Sequence, residues 1–217
     1  MKWEGFDKYL SNEEKLGECV QNYEKKRTVY IEKINEEIFY IKKYTLRKKE
    51  SFLSNLKIKS DPAMHYKEIS DELNKINILH VLPEYINVRS ESLFQRTVIL
   101  VMKDGGIPLN EYISNYEEKL DLFNEFFNIF IKLCKNRIYS RDYNLEGALI
   151  GKDRNIRLID FDKYRIKKNI NKRFKRKIID NLRKSYIKKN RKKEFEEFLK
   201  MEISRVIKEL EWENDIK

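Results

Sequence analysis

Two carboxylates lie on either side of a short apolar stretch in the second half of the chain. The segment IYSRDYNLEGALIGKDRNIRLIDFDKYR, residues 138–165, places Asp142 in a turn-like run and Asp160, eighteen residues later, just after apolar residues. The residues near ALIG and IRLID have the pattern of two short strands joined by the polar turn KDRN. Carboxylates can transfer protons or bind a divalent cation, so the chemistry depends on the elements that position this predicted hairpin.

The first half of the chain predicts a small, β-rich region. Residues 6–24 have an amphipathic helical pattern, whereas residues 27–44 alternate apolar and polar residues on both sides of a polar turn, as a β-hairpin does. After a polar, basic stretch, a helix is predicted over residues 62–76, where Pro62 follows Asp61, a candidate N-cap. Two strands are predicted next, around EYINVRSES and RTVILVMK.

The second half predicts a mostly helical region. It begins after Gly105-Gly106, the only Gly pair in the chain, and its first long element is a strongly apolar helix over residues 117–138. The hairpin that carries the two carboxylates follows, and the residues from about 170 onward have helical patterns. These elements predict an α+β protein with a β-rich N-terminal lobe, residues 1–104, and a helical C-terminal lobe, residues 105–217.

Composition limits the classes of protein that the chain can represent. Among 217 residues, 38% are charged and 41% are hydrophobic, which indicates a folded protein with a heavily charged surface. No apolar run is long enough to cross a membrane, and the N-terminal residues lack the apolar core of a signal peptide, so we expect a cytoplasmic protein. Two cysteines, Cys19 and Cys134, and two histidines, His65 and His80, predict neither a disulfide framework nor a metal-ligand cluster.

The positive charge is concentrated in one segment, residues 163–193, which we call the basic block. It holds 16 Lys or Arg residues and a single acid, Asp180, in a chain whose formal net charge is +11. Such a segment can bind nucleic acid, anionic lipid head groups or a phosphorylated polymer. Aromatic residues are sparse in it, and no RNA-binding signature is present, so nucleic acid is the least favoured of these partners.

The order of these elements and their motifs resembles a protein-kinase-like fold, and most closely the lipopolysaccharide core heptose kinase family. The resemblance covers roughly residues 25–190. It is carried by the strand IFYIKKY, the helix after it, the run VILVMKDGGIPLNEYI, and the segments YSRDYNLEGALI and IRLIDFDKYR. In sugar and lipopolysaccharide kinases, an Asp-Phe-Asp sequence similarly stands where protein kinases have Asp-Phe-Gly.

The resemblance assigns different roles to the two carboxylates. It implies that Asp142 accepts or orients the proton of the attacking hydroxyl, and that Asp160 binds the Mg²⁺ that bridges the nucleotide phosphates. Five residues after the loop Asp the family usually has a metal-binding Asn, and this chain has Gly147 there. Asn144, two residues after Asp142, is the alternative ligand for that metal position.

By the same resemblance, a lysine on the third strand contacts the nucleotide phosphates and pairs with a glutamate on the next helix. Lys42 and Lys43 both occupy the right segment, and they point to opposite faces of a strand. The family pattern favours Lys42. Glu68 and Glu72 lie one turn apart on the predicted helix, and the family spacing favours Glu68.

The resemblance also places the nucleotide base after the strand RTVILVMK. It implies that the backbone around Met102 and Lys103 holds the adenine and that Val101 lines the pocket.

Together these features predict an Mg²⁺- and ATP-dependent phosphotransferase that acts on a sugar hydroxyl, a heptose of the lipopolysaccharide core or its precursor. The basic block would draw the protein to the anionic surface of the inner membrane, so we expect a cytoplasmic protein that is peripheral to that membrane. Two alternatives remain. Gly147 is compatible with a pseudokinase that binds nucleotide without turnover, and the basic block is compatible with a small kinase-like protein associated with RNA.

Overall fold

The structure is a computed structural model that describes residues 3–11, 16–23, 26–113, 120–186 and 193–216. The chain divides into two compact units. We call Met1–Glu72 with Val81–Asp104 the sheet unit, and Leu73–His80 with Gly105–Lys217 the helical unit. Within the described residues, no helix combines the length and the apolar character needed to cross a membrane.

The sheet unit contains a five-stranded antiparallel sheet with the strand order β1-β2-β3-β5-β4. Its strands are β1 (Glu18–Tyr23), β2 (Arg27–Ile34), β3 (Glu37–Thr45), β4 (Pro83–Ser92) and β5 (Gln95–Lys103). The predicted hairpin over residues 27–44 is confirmed as β2 and β3. Its two-residue turn, Asn35-Glu36, has positive φ at both positions, as the tight turns that match the twist of paired strands require.

The predicted helix over residues 6–24 is wrong. A short 3₁₀ helix (Glu4–Tyr9) is followed instead by strand β1, in which Glu18 lies opposite Ile31 of β2. The cause is a tertiary contact, since a Cβ atom at Gly17 would lie 2.3 Å from the backbone oxygen of Ile31. The helical periodicity is therefore overridden by pairing with the neighbouring strand, for which this glycine permits a close backbone approach.

One face of the sheet is covered by the N-terminal 3₁₀ helix. Tyr85, which lies opposite Val101, donates its hydroxyl to Asp7 of this helix at 2.8 Å. The same face contributes to a buried hydrophobic core cluster, which consists of Phe6, Tyr9, Phe39, Ile41, Ile99 and Val101. These residues alternate along β3 and β5, so the strand period of two is what collects them on one side.

Two helices, α1 (Lys48–Asn55) and α2 (Pro62–Lys75), lie on the opposite face of the sheet. Arg96 of β5 donates to Asp61, directly before α2, at 2.8 Å, and it donates to Asn55 of α1 at the same distance. Asp61 also accepts the backbone N–H of Met64 at 2.9 Å, which confirms its predicted role as the N-cap of α2. Helix α1 lies in the stretch for which the sequence indicated only polar and basic character.

The helical unit is built around the apolar helix α4 (Leu120–Lys135), whose buried face includes Phe123, Phe126, Phe127 and Phe130. Its other helices are α3 (Leu109–Tyr112), α5 (Lys172–Tyr186), α6 (Lys193–Glu209) and α7 (Glu213–Ile216). The predicted apolar helix over residues 117–138 is described as α4 (Leu120–Lys135), and residues 117–119 lie outside the described residues. The helix ends at Lys135, and Arg137 then has a positive φ directly before strand β7 (Ile138–Ser140).

Two small sheets complete the helical unit. One has the order β6-β8-β9 and the other pairs β10 with β7. Their strands are β6 (Ile107–Pro108), β7 (Ile138–Ser140), β8 (Ala148–Ile150), β9 (Ile156–Leu158) and β10 (Tyr164–Ile166). The predicted hairpin between the two carboxylates is confirmed as β8 and β9. At Gly106, φ is 125° and a Cβ atom would lie 2.1 Å from the backbone oxygen of Ile150, so only glycine fits where β6 approaches β8.

Candidate active site

The pairing of β7 with β10 brings the segments of Asp142 and Asp160 together. Tyr164, the first residue of β10, lies opposite Ser140, the last residue of β7. Asp142 follows Ser140 by two residues, and Asp160 precedes Tyr164 by four. The two carboxylates therefore extend from the same end of this antiparallel pair.

Both carboxylates contribute to the raised pKa of the buried Tyr164 hydroxyl. Burial raises the pKa of Tyr164 above its ordinary value of 10.0, and the charges of Asp160 and Asp142 raise this pKa further. Coulombic effects of this kind require short distances in a protein. Asp142 and Asp160, which the sequence separates by a hairpin, thus lie within electrostatic range of one buried phenol.

The loop of Asp142 is anchored on both sides of the carboxylate. The backbone N–H of Asp142 donates to the Ser140 hydroxyl at 3.1 Å, and Asn181 of α5 donates to the carbonyl of Arg141 at 2.6 Å. On the other side, the buried Tyr143 donates its hydroxyl to the carbonyl of Phe126 at 2.7 Å, and its ring stacks on that residue at 4.3 Å. Asp142 itself is exposed, so a rigid loop presents a solvent-accessible carboxylate.

Asn144 caps the turn that follows Asp142. Its side-chain oxygen accepts the N–H of Gly147 at 3.0 Å, and its amide nitrogen donates to Asp142 Oδ1 at 3.2 Å. The cap begins a short 3₁₀ helix (Leu145–Gly147). The predicted alternative metal ligand thus already uses its oxygen in a local hydrogen bond, although an amide oxygen has a second lone pair.

Gly147 lies next to the segment of Asp160. Its carbonyl accepts the N–H of Ile159 at 2.9 Å, one residue before the carboxylate. A Cβ atom at Gly147 would meet the backbone oxygen of Ile159 at 3.7 Å, an ordinary van der Waals contact. A side chain can therefore be accommodated at the position where the resembled family usually has Asn.

Asp160 has an unusual backbone conformation, with φ 61° and ψ 65°. Aspartate visits this left-handed region more readily than most residues, yet the conformation persists only where neighbouring contacts impose it. Here the next residue, Phe161, is fully buried, and its ring contacts Tyr164 at 5.0 Å and His80 at 5.9 Å between centroids. The buried phenylalanine fixes the backbone while the Asp160 carboxylate remains exposed.

The residues around Asp160 fit a magnesium ion that is shared with a phosphate ligand. Among the residues described, no three His, Cys, Asp or Glu side chains form a group that could hold a metal ion by themselves. Mg²⁺ is usually bound through one or two carboxylates, with waters and substrate phosphates as the remaining ligands. One exposed carboxylate at Asp160 agrees with that mode and does not fit a closed protein cage.

The strand register distinguishes Lys42 from Lys43 in the sheet unit. Lys42 lies opposite Leu100 of β5, and residues opposite each other share a face. Arg96, on the same face of β5, reaches Asp61 before α2, so Lys42 lies on the helix-covered side. Lys43 lies opposite Ile99 of the core cluster, is 8% exposed, and has a pKa lowered by burial. The register therefore favours Lys42 for contact with a ligand.

The two candidate glutamates of α2 have different surroundings. Glu68 is exposed, accepts a hydrogen bond from Ser60, and lies 3.8 Å from His65. Glu72 is half-buried. The carboxylate of Glu68 is thus engaged in local contacts, and Glu72 is the less exposed of the two carboxylates.

The predicted adenine segment is the end of β5. The Val101 side chain belongs to the core cluster, whereas Met102 lies opposite Tyr40, on the face of Lys42. Lys103 donates to Glu37 at 2.7 Å, and this hydrogen bond raises the pKa of Lys103. The side chain of Val101 therefore points away from the face of Lys42, which favours backbone contacts over side-chain lining for this segment.

Sequence reasoning missed the side chains that hold the two carboxylates. His80, considered only as a metal ligand, donates from Nδ1 to the carbonyl of Ile78 at 2.8 Å and packs on Phe161. Tyr164 and Phe161 were visible in the quoted motif, but their burial was not. Ser140 could have indicated the anchored loop from the sequence, because a hydroxyl two residues before an Asp can accept the backbone N–H of that Asp.

Comparison with known proteins shows the fold. No protein-family model and no curated protein sequence matches the chain. Among solved structures, the chain is similar to "WaaP in complex with acyl carrier protein", with a TM-score of 0.69 and 13% sequence identity. The match covers 99% of this chain and 90% of that chain. The predicted α+β architecture is thereby confirmed: the chain has a small kinase-like fold, similar to that of WaaP.

Proposed function

We propose that the protein is an Mg²⁺- and ATP-dependent phosphotransferase that phosphorylates an alcohol group, a heptose hydroxyl of the lipopolysaccharide core or its precursor. The observation that carries this proposal is the pairing of β7 with β10, which brings the segments of Asp142 and Asp160 to the same end of one antiparallel pair. The similarity of the fold to that of WaaP, a lipopolysaccharide core heptose kinase, supports it. Phosphoryl transfer needs positioning and charge neutralisation more than covalent chemistry, so a small set of fixed carboxylates suffices.

The helical unit would supply the proton acceptor and the metal ligand. Asn144 donates to Oδ1 of Asp142, and Oδ2 of the same carboxylate would take the proton of the acceptor hydroxyl. Asp160 would bind the metal through its exposed carboxylate, with Asn144 as a further ligand through the second lone pair of its oxygen. A bound Mg²⁺ would neutralise the charge of the transferred phosphate.

The sheet unit would bind the nucleotide. Lys42 would contact the phosphates, and we assign its glutamate partner to Glu72 in preference to Glu68. The backbone of Val101, Met102 and Lys103 would hold the adenine. Glu72→Gln should then raise the KM for ATP, whereas Glu68→Gln should leave it unchanged. The opposite result would restore the assignment to Glu68.

The basic block would bring the protein to its acceptor at the anionic surface of the inner membrane. Its described part includes α5, where lysines and arginines are exposed beside the buried Ile178, Ile179 and Leu182. Residues 187–192 of the block lie outside the described residues. A purely electrostatic contact should weaken steeply with salt. Vesicle binding that is the same at low and high salt would contradict a role for this block.

The decisive experiment is transfer of phosphate from ATP to dephosphorylated lipopolysaccharide core by the purified protein with Mg²⁺. We expect incorporation by the native protein and its loss in both Asp142→Ala and Asp160→Ala. Asp180→Ala is the matched control, because Asp180 is an exposed acid of α5 whose carboxylate lies 3.8 Å from Arg183. Loss of incorporation in the control as well would indicate a general effect of removing surface acids.

A pseudokinase is the second candidate function, and the turn after Asp142 favours it. Gly147 carries no ligand atom on a side chain, and the oxygen of Asn144 already accepts the N–H of Gly147. ATP binding without phosphate incorporation, unchanged by different sugar acceptors, would support this candidate over the enzyme.

A further inference from the structure

Exposed apolar side chains are concentrated at one corner of the sheet unit. Leu56 and Ile58 follow α1, and Leu93 and Phe94 form the turn between β4 and β5. Ile58 is 66% exposed, Leu93 53% and Phe94 52%. Isolated exposed apolar residues are ordinary, but these come from two segments that contact each other. We call Leu56, Ile58, Leu93 and Phe94 the apolar corner.

The two segments of the apolar corner are fixed to each other. Asn55, the last residue of α1, donates to the carbonyls of Ser92 and Leu93, both at 3.1 Å. Its side-chain oxygen accepts from Ser90 at 3.0 Å, and the ring of Phe52 stacks on Phe94 at 5.5 Å. One amide side chain therefore joins the end of the helix to the turn, so the corner is a rigid feature with a defined shape.

Cationic side chains accompany the apolar corner along the α1 segment, where Lys57 and Lys59 alternate with Leu56 and Ile58. Between residues 47 and 59 there are five cations and one acid, Glu50, whose carboxylate accepts the backbone N–H of Arg47 at 3.2 Å. The cations, all exposed, are Arg47, Lys48, Lys49, Lys57 and Lys59. On the neighbouring strand, Arg89 is balanced by Glu91 at 3.4 Å. The surroundings of the corner thus carry a clear positive excess.

We propose that the apolar corner inserts into the interfacial region of an anionic lipid bilayer, with the surrounding lysines on the phosphate groups. Interfacial segments combine apolar side chains that enter the boundary of the acyl region with Lys or Arg that bind anionic head groups. Long lysine side chains can extend along apolar surface and keep their charge among the head groups. A second copy of the chain is disfavoured as the occupant, because two such corners would bring like charges together.

This inference goes beyond the proposed function. It concerns the sheet unit, whereas the membrane contact proposed above concerns the basic block, and it does not require phosphate transfer. The two contacts also differ in kind: the basic block offers charge alone, and the corner offers charge together with apolar insertion.

The test is sedimentation of the full-length protein with vesicles of phosphatidylethanolamine and phosphatidylglycerol, compared with vesicles of phosphatidylcholine alone. We expect binding to the anionic vesicles, and a loss of affinity of about tenfold or more in Leu93→Ser with Ile58→Ser. Neither residue takes part in the hydrogen bonds of Asn55 through its side chain, so the fold should be kept, as a thermal melt would check. The matched control is Val20→Ser with Met201→Ser, which removes two exposed apolar side chains elsewhere and should not change binding.

A second readout reports insertion directly. Phe94→Trp places a fluorophore on the ring of Phe52, and its emission should be quenched by brominated lipids in anionic vesicles, above the background of Trp3 and Trp212 in the native protein. Asp160→Ala should bind vesicles like the native protein, which separates this inference from the failure of the proposed function.

Three outcomes would overturn the inference. Native protein that does not bind anionic vesicles would refute insertion of the corner into a bilayer. Binding that is unaffected by Leu93→Ser with Ile58→Ser would place the lipid contact elsewhere, for example on the basic block. Equal loss in the Val20→Ser and Met201→Ser control would show that the effect is not specific to the corner.

Discussion

Tyr164 lies directly opposite Ser140 in the β7–β10 pair, and Ser140 in turn accepts the backbone N–H of Asp142. A buried phenol and the loop of a carboxylate are thus joined through one residue. Burial raises the pKa of this phenol, and the charge of Asp160, four residues earlier in the chain, raises it further. Several properties of the protein should depend on this arrangement.

The stability of the protein should fall at alkaline pH, partly because of Tyr164. Its pKa in the folded protein is raised above the ordinary value of 10.0, so the folded state keeps a proton that the unfolded state releases above that pH. The stabilisation is complete below pH 10 and is lost as pH rises beyond it, by about 1.4 kcal/mol per pH unit for each such proton. Tyr164→Phe should make the pH dependence of the free energy of unfolding shallower by about one proton. The same substitution at the exposed Tyr23 is the control, and an equal change there would contradict the assignment to Tyr164.

Gly147→Asn should lower the Mg²⁺ concentration that phosphate transfer requires. The new side chain has room beside Ile159 and would add an amide oxygen next to the segment of Asp160. We expect the Mg²⁺ concentration for half-maximal phosphate transfer to fall several-fold. Gly147→Ala adds a Cβ atom without a ligand and serves as the control, so identical behaviour of the two variants would rule out a ligand effect.

Substitutions of Lys42 and Lys43 should have different effects on phosphate transfer. Lys42→Met should reduce phosphate transfer about 100-fold, the usual loss when a fixed cation is removed from a phosphate, with little change in the melting temperature. Lys43→Met should keep the activity, because this buried lysine lies opposite Ile99 on the other face. The measurements are turnover of ATP and a thermal melt of both variants. Retained turnover in Lys42→Met with loss in Lys43→Met would reverse the assignment.

Asp61→Ala should destabilise the sheet unit strongly. Asp61 caps α2 and pairs with Arg96, and its side chain is almost completely buried. Its removal leaves a poorly exposed guanidinium without its carboxylate, which costs about 3–5 kcal/mol in comparable pairs. Urea unfolding would measure this loss, and Asp61→Ala with Arg96→Met should recover part of it. Asp71→Ala, which breaks the exposed pair with Lys67, should cost only about 0.3–0.5 kcal/mol.

Local patterns were sufficient for elements whose contacts are local in sequence. The hairpin of β2 and β3 follows from alternation around Asn35-Glu36, and α2 follows from Asp61-Pro62. The predicted helix in the N-terminal segment was wrong because strand β1 forms there instead. That strand depends on the close approach of Gly17 to Ile31, a contact that no local pattern contains.

In the candidate site, too, the local features could be predicted and the tertiary contacts could not. The types and spacing of Asp142 and Asp160 were visible in the sequence, as was the pair Lys42 and Lys43. The faces on which the two lysines lie could be read only from the strand opposite them, and the contact of Glu68 with Ser60 could be read only from the structure. The left-handed backbone at Asp160 needed the packing of Phe161 on His80, a residue far away in the sequence.

The helical unit draws part of its structure from residues 73–80, which precede the last two strands of the sheet unit in the chain. Within that segment the carbonyl of Leu79 accepts the N–H of Leu158 at 3.1 Å, and His80 covers the ring of Phe161 beside Asp160. A fragment that starts at Gly105 would therefore lack the Leu79 carbonyl that accepts from β9 and would leave this ring uncovered. Supplying residues 73–80 as a separate peptide should complement such a fragment, because this segment belongs to the helical unit although it precedes β4 and β5 in the chain.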